Sequence, residues 1–74
     1  MQPYRHPNGN TGVIAYRITA RAITVQFAGG AIYVYSYASA GAARVEEMKR
    51  LAVAGRGLAT FISQHVQHAY AAKR

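Results

Sequence analysis

Residues 23–37 read ITVQFAGGAIYVYSY: two apolar runs meet at Gly29-Gly30, and the second carries Tyr33, Tyr35 and Tyr37 at every other position. Paired glycines between β-rich runs mark a hairpin, because both central residues can take positive φ. Upstream, from Val13, Ile14, Tyr16 and Ile18 alternate with Ala15, Arg17 and Thr19, the period-two pattern of a half-buried strand. Thr19-Ala20-Arg21 is short enough for a reverse turn, after which Ile23, Val25 and Phe27 alternate with Thr24 and Gln26. A third strand over about Ile32 to Tyr37 completes a three-stranded antiparallel meander.

Downstream the period changes. Across Ala42 to Ala54, Val45, Met48 and Ala52 stack at helical spacing with Leu51 beside them, while Glu46, Glu47 and Arg50 point away. Gly55 is a natural stop for this helix. Ser39 is a candidate N-cap, although Ala42 stands where an acid would complete a capping box. Leu58, Ile62, Val66 and Tyr70 repeat every four residues, with Phe61 and Ala69 widening the stripe and Ser63, Gln64 and Gln67 outside it. Two helical stripes and one apolar sheet face imply an α+β domain over residues 13–72, its two amphipathic helices packed on one face of the sheet. The opposite face is then bare unless a partner covers it. Residues 1–12 hold both prolines and two of the seven glycines and are expected to form a flexible arm, with a basic tail at 73–74.

Seventy-four residues make one domain, and a chain of this size buries only about 60% of the surface its unfolded form exposes. There is no Cys, so neither a disulfide framework nor a thiolate metal site is available, as in a reducing compartment. No segment reads as a signal peptide or a membrane span, and the cytoplasm is the expected location. Nine Lys and Arg against two acids give a net charge of +7. The pI of about 10.4 points to a polyanionic partner. The competing explanation is that a small protein needs net charge of either sign for solubility.

The chain resembles the KTSC domain, a short module at the C-terminus of some lysyl-tRNA synthetases that also occurs as stand-alone small bacterial proteins. The resemblance runs through Ile14 and Tyr16, then Ile23, Val25 and Phe27, then Gly30 followed by the Tyr33-x-Tyr35 pair. It continues through Val45, Met48 and Leu51, the Gly55-Arg56-Gly57 stretch, and Ile62, Val66 and Tyr70. Each motif is short and apolar; their order and spacing carry the weight. The chain departs from compact members in a longer segment between Tyr35 and Val45, and Ser63 stands where many relatives have Asn. What the resemblance implies is RNA binding, suggested by the attachment to tRNA synthetases, and no catalytic activity.

The tyrosines have two readings. A two-residue loop would set Tyr33 and Tyr35 opposite Gln26 and Thr24, on a solvent face where bases stack on aromatic rings. An odd-numbered loop shifts the pairing by one and sends both rings to the face of Ile23, Val25 and Phe27. The exposed face would then show Val13, Ala15, Ile32 and Val34 beside Thr24 and Gln26, an apolar patch suited to a homodimer. The second reading is preferred, while the apolar character of Ile32 and Val34 favours the first.

Arg17 on the outer face of the first strand and Arg21 in the turn are candidate phosphate contacts. Arg50 pairs locally with Glu46 or Glu47, whereas Arg44, Lys49, Arg56, Lys73 and Arg74 have no sequence-local acid, Arg56 lying beside a helix N-terminus that can hold a phosphate. The nucleic-acid-binding set is therefore Arg17, Arg21, Tyr33, Tyr35, Arg44, Lys49 and Arg56. His65 and His68, with His6, lack the convergent partners of a metal site, and His65 is expected to fill a helix–sheet margin. With no Asp or Cys and no Ser–His motif, neither catalytic chemistry nor a cofactor or small-molecule substrate is expected. The expected function is a non-catalytic module binding RNA or another polyanion. The alternative is a protein-interaction or homodimer module using the bare sheet face or an edge strand.

Overall fold

The computed structural model describes residues 1–4 and 12–74. The architecture is α+β, with one antiparallel sheet in the order β1-β2-β3-β4-β5. Its central meander is β2 (Val13–Thr19), β3 (Ala22–Phe27) and β4 (Ile32–Ser36), as the alternating pattern implies. Two short strands flank it: β1 (Gln2–Pro3) pairs with β2, and β5 (Ala72–Lys73) pairs with β4. The sheet is therefore five-stranded, and both ends of the expected domain differ from the sequence reading.

At the N-terminus, Gln2–Pro3 form a strand, Tyr4 is 7% exposed, and the Tyr4 hydroxyl accepts a hydrogen bond of 3.2 Å from the Leu58 amide. That amide is one of the unpaired donors that open a helix. The arm expected over 1–12 is thus anchored at residues 2–4, and residues 5–11, His6 included, lie outside the described residues. At the C-terminus, Lys73 belongs to a strand instead of a frayed tail.

The hairpin loop has odd parity. The Phe27 amide donates to Ala31 O at 2.8 Å and the Gly30 amide to Phe27 O at 3.0 Å, leaving the three residues Ala28–Gly30 as the loop. Gly29 and Gly30 hold φ of 93° and 97°, values that side-chain-bearing residues rarely adopt. Val25 consequently faces Tyr33, and Ile23 faces Tyr35. All four side chains point to the covered side.

In β2 the strict alternation fails. The register with β3 slips between Val13 and Ala15, a β-bulge that opposes two residues to one. Val13 becomes core at 1% exposure and Ile14 is left 46% exposed, reversing their expected faces. Tyr16 keeps its expected side, opposite Val25.

Three helical pieces cover the inner face. Ser36 caps the short α1 (Tyr37–Ala40) through a reciprocal box in which each serine hydroxyl accepts the other's amide. Ser39 is therefore the third residue of α1, not the cap of the next helix, and the third strand stops one residue before Tyr37. Helix α2 (Ala42–Ala54) buries Val45, Met48 and Ala52 and ends at Gly55, whose φ of 76° and ψ of 27° give the left-handed stop. The last helix begins as α3 (Leu58–Phe61) and widens into a π-helical turn over Ile62–Val66. Leu58, Ile62 and Val66 repeat every four residues, so in an α-helix of 3.6 residues per turn they would drift by about 40° per step. The wider turn keeps all three buried. The chain then leaves the helix, and Tyr70 reaches the core from the approach to β5.

The bulge yields a direct test. Ile23→Ala is expected to cost about 2–5 kcal/mol, and Ile14→Ala no more than about 0.5 kcal/mol, as read from urea midpoints at constant slope. Comparable losses at both positions would contradict the slipped register.

Candidate nucleic-acid interface

The seven residues expected to bind nucleic acid do not share one surface. Tyr35 is 1% exposed on the covered face and is closed to the bare face of the sheet. Burial, then the neighbouring Tyr33 and Tyr70 hydroxyls, push its pKa up to about 12. Tyr33 is half-buried on the same face, its ring centre 5.4 Å from Phe27 and 4.9 Å from Tyr70 in edge-to-face contacts. A solvent-facing tyrosine platform is therefore ruled out by the register.

Lys49, read as free in the sequence, is engaged. Its Nζ lies 2.8 Å from Glu46, donates to Ala20 O at 3.1 Å, and sits 5.5 Å from the centre of the Tyr37 ring. The Tyr37 hydroxyl also donates to Glu46, and Arg50 pairs with Glu47. Donors from Lys49 and then Tyr37 hold the Glu46 carboxyl below the usual carboxylate value, and Arg50 does the same to Glu47. Both acids of the chain are thus spent on α2. Arg44 is tied as well, donating to His65 O at 3.1 Å across the helix pair. Arg56 is exposed in the turn after Gly55, and the first amide of α3 beside it donates to the Tyr4 hydroxyl. His65 is exposed with its ring 4.7 Å from Phe61, not packed into a helix–sheet margin. Among the described residues no group of three or more His, Cys, Asp or Glu is placed to hold a metal ion.

Arg17 and Arg21 keep their expected exposure. Arg17 lies on the face away from the helices, because the register runs Arg17–Thr24–Val34–Ala72 across β2 to β5. A second row on this face runs Pro3–Ala15–Gln26–Ile32, and Ile32 exchanges both backbone hydrogen bonds with Arg74. The bare face therefore carries Arg17 and Arg74, with Arg21 in the turn at the end of the β2–β3 hairpin. These two rows, and a third running Thr19–Ala22–Ser36, contain no acidic side chain and no aromatic ring. Arg74 was assigned to a frayed tail in the sequence; only the pairing of β5 with β4 brings it here.

A separate hollow of about 290 Å³ opens on the covered side, between the β3–β4 loop and the last helix. Phe27, Tyr33, Tyr35 and Ile62 form apolar walls, and Ser63 and Gln67 supply the polar ones. Lys73, opposite Tyr33 in the β4–β5 pairing, holds its Nζ 5.6 Å from the centre of the Tyr33 ring. Ser63 and Gln67 fall outside the apolar stripe in sequence, and only the widened turn hints that they line a cavity.

No family model matches the chain, and no curated protein or solved structure does either. No helix among the described residues is long and apolar enough to cross a membrane.

The raised Tyr35 pKa has a signed consequence. A phenol whose folded pKa lies above its unfolded value near 10 contributes fully below that value, and its contribution falls as pH rises toward about 12. Stability should decline over this window, and Tyr35→Phe should flatten that part of the profile. Denaturation midpoints across the alkaline range, with tyrosinate absorbance followed in parallel, measure it.

Proposed function

We propose that the chain is a non-catalytic binding module of KTSC type that takes RNA or another polyanion through its phosphates. The observation that carries this reading is the distribution of charge. Glu46 and Glu47 are both paired on α2 with Lys49 and Arg50, so the net +7 resides on the remaining cations, and the bare sheet face presents Arg17 and Arg74 with no acidic side chain in its rows. A surface of this kind binds by displacing counterions and reads little sequence, because phosphate contacts position a strand without specifying it. Thr24 and Gln26, between the arginines, offer hydrogen bonds to sugar and phosphate oxygens.

Titration of single-stranded RNA at several salt concentrations tests the reading. Log affinity should fall with log salt by about 0.7 per phosphate neutralised. Arg17→Ala and Arg74→Ala should each reduce that slope by about one such increment, while Arg50→Ala, removing a cation already paired, should change it far less. Absence of binding at low salt ends the proposal.

A second reading uses the same face to join two copies, favoured by the apolar Ile32 and Val34 in the middle of the face. It ranks below the first because pairing two copies would gather two Arg17 and two Arg74 side chains in one interface with no acidic side chain from this face to compensate them. Light scattering distinguishes them: a dimer should appear as mass rising with concentration and vanish in Val34→Lys.

A further inference from the structure

The hollow beside the last helix has a chemistry that the bare face lacks. Its walls are the half-buried rings of Phe27 and Tyr33 with the side chains of Ala31, Ala59 and Ile62, the buried Tyr35 lies behind them, and no charged residue lines it. The hollow is open to solvent on one side, and its mostly apolar lining favours a neutral group against the walls. The polar lining is one hydroxyl, Ser63, and one carboxamide, Gln67, which together offer donors and acceptors side by side. This combination suits a flat ring whose edge bears both donors and acceptors.

Size and surroundings narrow the class further. At about 290 Å³ the hollow lies at the lower end of small-molecule cavities, which run from about 300 Å³ upward, and admits a single ring system. Lys73 stands at the same Tyr33 ring with no carboxylate within ion-pair distance among the described residues, so a cation is held next to the neutral cavity. The π-helical turn is a rare backbone form that is found frequently at functional sites, and it carries Ser63 and leads directly into Gln67.

We infer that the hollow holds one unstacked nucleobase, with Lys73 contacting the phosphate attached to it. This rests on the polyanion reading and adds to it a base-reading site on the other side of the sheet. Stacking of one base on aromatic walls corresponds to roughly 5- to 150-fold in affinity.

The test uses the full chain and labelled octamers of A, C and U beside an abasic strand of equal charge, followed by anisotropy. Base-bearing strands should bind within that range more tightly than the abasic one, and Gln67→Ala, at an exposed position, should change the ranking of A, C and U. Ala59→Leu, which fills the hollow, should abolish the preference over the abasic strand while lowering the salt slope by no more than the one increment that Lys73 contributes. Equal binding of abasic and base-bearing strands, or a preference that survives both variants, overturns the inference and leaves the phosphate reading intact. If no strand binds at low salt, the phosphate reading fails, and NMR titration with adenosine and uridine monophosphates decides the hollow alone. Shifts centred on Tyr33, Ser63 and Gln67 support it; their absence overturns it.

Discussion

The pairing of Val25 with Tyr33 and of Ile23 with Tyr35 is the constraint on which the rest of this structure depends. It follows from a three-residue loop at Ala28–Gly30, in which two glycines with positive φ reverse the chain. Because side chains in a strand alternate, a loop longer or shorter by one residue would move every ring of β4 to the opposite face. With this register, Tyr35 joins Ile23, Met48 and Leu58 in a closed core. The same step empties the outer face of aromatics, so one loop decides what each side of the sheet can bind.

The α+β class, the meander and the inner faces of α2 and β3 were legible in the sequence because each rests on a local period. Val45, Met48 and Ala52 are buried as their spacing implies. What escaped has non-local causes. Two-residue strands at Gln2–Pro3 and Ala72–Lys73 carry no period; they exist because their partners β2 and β4 present open edges. The bulge exchanges Val13 for Ile14, a choice made by pairing with β3 and invisible to alternation alone. The four-residue repeat of Leu58, Ile62 and Val66 did carry a trace of the π-helical turn, since it is longer than an α-helical period. The hollow that this turn helps to line could not be read, because it combines residues from β3, β4 and the last helix.

The candidate site shows the same division. Exposure of Arg17 and Arg21 follows from a strand face and a turn, both local features. The engagement of Lys49 mixes the two: its pairing with Glu46 is three residues away on one helix, but its bond to Ala20 O spans the helix–sheet interface. Lys49 thus works as a clamp between α2 and the β2–β3 turn, which removes it from the pool of binding charges. Arg44 has a comparable part, joining the start of α2 to the carbonyl of His65. In a small domain with limited area to bury, long cationic side chains contribute packing through their aliphatic stems as well as charge.

The two shortest strands also bear on how the molecule avoids itself. An open antiparallel sheet offers its outermost backbone groups to any other strand, and such edges seed ordered aggregation. Here one edge strand contains Pro3, which has no amide to donate, and the other contains Lys73, whose charge resists stacking of identical copies. Between them lies the uncharged run ITVQF and the tyrosine-rich IYVYS, the segments of the chain best suited to self-association. The exposed residues of β5 contribute little to the core and act as gatekeepers, since removing them would uncover the tyrosine-rich β4 before it cost much stability.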